Sequence, residues 1–179
     1  MKQWMKTYGF FAASLLLLLL AVLTLIQNHR LKSRLEDADR EARTAVLCHL
    51  ENIRGFVQNN GYDIDREDRL EESRYAFGRF SSKADVTMMD SALAAYQETL
   101  NRYLNETDPQ KKEEEKQEVL RLGKGLEELT VWAAETLELN WSGTGPLDRA
   151  KFYEIYDPDS DYNRELNERV QLLKGQNPG

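Results

Sequence analysis

Three observations predict an all-α fold: an unbroken apolar run near the N-terminus, apolar residues recurring at three- and four-residue steps thereafter, and no stretch that alternates at period two. The expected architecture is a single N-terminal transmembrane helix continuing into an antiparallel bundle of about four main helices, with a short helical C-terminal appendage. Residues 1–7 read as a short tail, 8–28 as the anchor, 29–146 as the bundle, and 147–179 as short C-terminal helices and tail packed on it.

The anchor comes first. Tyr8 to Ile26 contains nineteen uncharged, mostly apolar residues, including six consecutive leucines from Leu15 to Leu20. As a helix it would measure roughly 28 Å, close to the ~30 Å of a bilayer's hydrocarbon core. A cleaved signal peptide fits less well, because its apolar stretch is about 7–15 residues and ends in a small-x-small site. Here the exit reads Leu25-Ile26-Gln27-Asn28-His29-Arg30. Two lysines precede the span, Lys2 and Lys6, whereas Arg30, Lys32, Arg34, Arg40 and Arg43 follow it. Counting Lys and Arg alone would put the following domain in the cytoplasm. A short basic tail before an uncleaved span is, however, the usual form of a signal-anchor, and export of the domain is the expectation.

No glycine or proline lies between Gly9 and Gly55, so the anchor helix should run unbroken into the domain. Leu31, Leu35, Ala38, Ala42, Val46, Leu50, Ile53 and Val57 mark its apolar stripe, a spacing that also suits a coiled coil and makes a homodimer one expected assembly. Asn59-Asn60-Gly61 should end it with a left-handed cap. A second helix is expected from a cap at Asp65, with Leu70, Phe77 and Phe80 inside and Ser81-Ser82 after it. The third starts near Asp85 and carries Val86, Met89, Leu93, Tyr96, Leu100 and Tyr103. The fourth starts at Asp108-Pro109, proline suiting the first helical position, and buries Val119, Leu122, Leu126, Leu129, Ala133 and Thr136. Its opening, Gln110 to Glu118, reads as a solvated face, and Gly123 and Gly125 as a close crossing or a soft spot. Asn140 to Pro146 is a loop, after which Asp148 to Tyr156 and Asp161 to Lys174 form two short helices.

Composition narrows function. Two of the 24 Lys and Arg, Lys2 and Lys6, precede the span, leaving 22 against all 31 Asp and Glu and a formal charge of −9 beyond it. Such a surface repels nucleic acid and anionic headgroups, so no nucleic-acid partner is expected and a protein partner is. Cys48 is the sole cysteine, which excludes an internal disulfide.

Chemistry is thinly supplied. Asp157, Asp159, Asp161, Asn163, Glu165 and Glu168 fall at positions one, three, five, seven, nine and twelve of a stretch between two helices, the oxygen spacing of a helix-loop-helix calcium site. Tyr162 stands where that pattern needs glycine, Arg164 where it needs an apolar residue, and no second loop exists. A turn in which Asp157 and Asp161 cap helices is the reading preferred, with calcium at Asp157, Asp159, Asp161, Asn163 and Glu168 as the alternative. No other metal or cofactor is expected. Cys48 and His49 are neighbours, which on a helix diverge by about 100° and make no catalytic pair. With no phosphate loop and no zinc spacing either, no enzyme is expected.

Trp132, Trp141, Phe152, Tyr153 and Tyr156 cluster late and are expected mainly in the core, with Trp141 and Tyr153 as interface candidates. The expected function is a membrane-anchored helical interaction or scaffold module that docks a protein partner. The alternative is a ligand-binding sensor or accessory domain that signals laterally through a partner.

Overall fold

The computed structural model describes residues 2–77, 87–140 and 147–175, with side chains from Leu16 onward except those of 74–77, 87 and 88. Every regular element among these residues is helical: α1 (Lys2–Tyr62), α2 (Glu67–Phe77), α3 (Thr87–Asn105), α4 (Pro109–Thr136), α5 (Arg149–Tyr153), a 3₁₀ turn (Glu154–Tyr156) and α6 (Asp161–Leu173). The chain divides into two compact units, Met1–Glu41 and Ala42–Gly179.

In the first unit α1 has no glycine or proline after Gly9 to break it, and from Leu16 to Ile26 its side chains are exposed on every face. Leu17 is 66% exposed and Leu25 69%. Thr24 Oγ1 donates to the Leu20 carbonyl at 2.8 Å, so the one hydroxyl of this stretch is satisfied within the helix. Among the described residues no helix is long and apolar enough to cross a membrane. Of the run expected to do so, Tyr8 to Leu15 lie outside the described side chains.

The second unit is built around one core. α1 supplies Val46, Leu50, Ile53 and Val57, α3 supplies Met89, Leu93, Tyr96, Leu100 and Tyr103, α4 supplies Val119, Leu122, Leu126, Leu129 and Ala133, and α6 supplies Tyr162, Leu166 and Val170. These positions recur at three- and four-residue steps, which is why each helix can turn a single stripe inward. α3 packs on α4 and α6, α4 on α6, and α2 on α3. The all-helical bundle expected from the pattern is therefore present. The α1 stripe is divided, however: Val46 onward is buried, whereas Leu31, Leu35 and Ala38 are exposed.

Side-chain caps set the starts of α4, α5 and α6. Asp108 Oδ1 accepts from the backbone N–H groups of Gln110 at 2.9 Å and Lys111 at 3.2 Å, with Pro109 in the first helical position, as expected. Asp148 likewise caps α5 by accepting from the Lys151 N–H.

Three expectations are corrected. α1 does not stop at Asn59-Asn60-Gly61 but runs to Tyr62, because the buried Asn60 side chain reaches across the fold, where its Oδ1 accepts from Ser73 Oγ at 2.6 Å, rather than folding back on its own backbone. Asp65 does not cap α2, which begins at Glu67; its carboxylate instead receives Lys116 Nζ at 2.6 Å. Asp161 does not cap α6. Ser160 does, its Oγ accepting from the Asn163 N–H at 3.1 Å, and Asp161 pairs with Arg164 in solvent.

Gly123 and Gly125 mark close crossings. A Cβ at Gly123 would stand 3.3 Å from the Tyr96 ring, and one at Gly125 would stand 2.2 Å from Leu173 Cδ1. The opening of α4 is largely solvated, yet Lys112 and Lys116 reach over to Glu67 and Asp65 and clip the start of α2. The side chain of Phe77, together with Phe80, Ser81-Ser82, Asp85, Val86 and the 141–146 loop, lies outside the described residues.

Candidate functional site

The acidic segment folds into a braced turn. Asp157 Oδ1 accepts from the Asp159 N–H at 3.1 Å, and Ser160 Oγ donates to the Glu154 carbonyl at 2.9 Å. Asn163 is buried, and its Nδ2 donates to the carbonyls of Glu154 at 2.9 Å, Ile155 at 3.3 Å and Asp157 at 2.8 Å. Its amide thus gathers the backbone of the 3₁₀ turn, a role that a ligand reading of Asn163 does not anticipate. Asp161 and Glu165 are engaged by Arg164 and Arg169. Among the described residues no group of three or more His, Cys, Asp or Glu side chains could hold a metal ion.

Against this turn sits an aromatic step. Phe152 is fully buried and meets Tyr153 edge-on at 5.4 Å between ring centroids, and Tyr153 meets Tyr156 at 6.0 Å. Tyr153 is 41% exposed and Tyr156 55%, so of the four late aromatics described these two are the exposed ones. Trp132 is partly buried, stacked on Tyr162 at 5.4 Å with the Arg169 guanidinium over its ring at 4.6 Å. Burial pushes the Tyr162 hydroxyl well above its ordinary pKa. Trp141, the other interface candidate, lies outside the described residues.

Cys48 and His49 are not brought together: the thiol is exposed, whereas His49 is buried with its Nε2 3.6 Å from Asp90 Oδ1. That separation exceeds a hydrogen bond.

The residues that do converge were not predicted from the sequence. A cavity of about 390 Å³ opens between the end of α1 and the middle of α4, lined by Val57, Gln58, Gly61, Tyr62, Tyr96, Val119, Leu120, Gly123, Lys124 and Glu127. The Tyr96 ring, fixed edge-on against Phe56 at 5.8 Å, belongs to the core and to this lining at once. Burial raises its hydroxyl to about 12, with the neighbouring Asn60 amide pulling the other way. At one side Glu127 Oε1 accepts from Arg54 Nε at 3.3 Å and from Gln58 Nε2. One trace in the sequence lies here: Gly61 leaves open space that a side chain would fill. Comparison of the chain with protein-family models, with curated proteins and with solved structures returned no match.

Proposed function

We propose that this chain is a membrane-anchored helical module that docks a protein partner at the membrane, held by a single-pass signal-anchor with its bundle outside the cytoplasm. The observation that carries this reading is the exposure of Leu16 to Ile26 on every face of α1. A helix that is apolar all round is stable where an apolar medium covers it, and the run extended back to Tyr8 has the length of a bilayer core. Docking is supported by the exposed Tyr153–Tyr156 step on its braced turn, since tyrosine gives contact area at low entropic cost. The formal charge of −9 beyond the run favours a neutral or basic protein surface over nucleic acid.

Membranes washed in alkaline carbonate should retain the full chain, and Leu18→Arg combined with Leu23→Arg should release most of it. A wild-type chain that washes free overturns the anchor. Tyr153→Ala should lower recovery of a cross-linked partner about tenfold with unfolding unchanged. The same loss accompanied by unfolding would return Tyr153 to a packing role.

A further inference from the structure

We propose that the cavity between the end of α1 and the middle of α4 is a binding site for a free α-amino acid with an apolar side chain. This goes beyond the docking reading and does not depend on it. The cavity is open to solvent on one side, and its volume, about 390 Å³, lies within the range of small-molecule sites, about 300–1,000 Å³. Its wall is apolar, formed by Val57, Tyr96, Val119 and Leu120. Two charged side chains line it, Lys124 and Glu127.

Gly61 separates this cavity from a packing fault. A Cβ at Gly123 would press on Tyr96, so close packing explains that glycine. A Cβ at Gly61 would meet nothing within 4 Å, and its backbone is helical, where alanine is the better helix former. The missing side chain therefore leaves open space and relieves no contact.

The charges specify the ligand. Lys124 and Glu127 stand three residues apart on one helix, with Cβ atoms about 5–6 Å from each other, and both line the cavity, Lys124 as a largely exposed cation at its rim. Glu127 Oε1 is held by Arg54 and Gln58, while no hydrogen bond to Oε2 is formed among the described residues, which leaves that oxygen able to accept from an ammonium group. Lys124 is held only loosely, by Glu128 at 3.8 Å with both side chains in solvent, a pairing that a carboxylate can displace. A zwitterion satisfies both groups and leaves its side chain for the apolar wall.

Saturation-transfer NMR on the full-length chain in phospholipid nanodiscs, with empty nanodiscs as the blank, tests this with three probes. L-phenylalanine should give a saturable signal. 3-Phenylpropionate, which lacks the ammonium, and phenethylamine, which lacks the carboxylate, should each bind at least tenfold more weakly. Gly61→Leu, which fills the open space, should abolish the phenylalanine signal while helicity and melting are retained. Lys124→Met, a change at an exposed position, should weaken phenylalanine at least fivefold and leave phenethylamine unchanged. No phenylalanine signal, or equal binding of either single-charge probe, overturns the proposal. So does full binding by Gly61→Leu, and if that variant fails to fold, full binding by Lys124→Met does the same.

Discussion

The two units of this chain use apolar residues in opposite ways. In Met1–Glu41 the apolar side chains described, from Leu16 to Leu35, all face outward, whereas in Ala42–Gly179 the end of α1, the five helices after it and their connections bury twenty-five hydrophobic residues together. Composition alone does not separate these cases, since leucine dominates both. Periodicity does: a run that is apolar at every position has no polar face to give to water, while a stripe at three- and four-residue steps has one. The second arrangement covers itself, and in the reading proposed above a bilayer covers the first.

Substitutions should divide along the same line, and stability of the bundle to urea is the measurement. Phe152→Ala, at a fully buried ring, should cost about 3–5 kcal/mol. Asn163→Ala should cost about 2 kcal/mol, because three carbonyls lose a shared donor, and Asn163→Asp should restore none of it. Tyr96 gives a pH signature. Its raised pKa favours the folded state below about pH 10, and this contribution, on the order of 2 kcal/mol, should be lost as pH rises toward about 12 because the unfolded chain ionises first. Tyr96→Phe should flatten that part of the profile, and an unchanged alkaline slope would place its source elsewhere. Asp108→Ala should remove about 1 kcal/mol with the lost cap. Leu31→Ala, at a leucine of the first unit that is 63% exposed, should change bundle stability by less than about 0.5 kcal/mol. A cost like that of Phe152→Ala would break the comparison.

The helical class and the seams of α3 and α4 were legible because burial follows the same period as the apolar residues, and Asp108-Pro109 was legible because capping is a local interaction. The ends of α1 and the start of α2 were not. Asn60 and Asp65 have the chemistry of caps, yet each is claimed by a group distant in sequence, Ser73 and Lys116 respectively. The acidic segment is the turn that the sequence favoured, but its cap was misassigned for the same reason: Ser160 rather than Asp161 accepts from the α6 backbone, and the Asn163 amide nitrogen is what the fold uses. The cavity had only a faint trace, because a lining from three helices leaves no continuous motif and Gly61 resembles a helix stop. Periodicity reports which face is buried, while the partners of single polar groups depend on chain crossings it does not encode.

The clips at the start of α2 bear on how the bundle comes apart. Leu70 is the fully buried side chain described for this helix, and the other attachments among the described side chains of α2 and the turn before it are polar: Ser73 to Asn60, Asp65 to Lys116 and Glu67 to Lys112. Ion pairs of this kind weaken as salt rises, whereas burial of Leu70 does not. α2 is therefore the segment whose amides should exchange with deuterium earliest and fastest at high ionic strength, as a local opening that leaves α3, α4 and α6 protected.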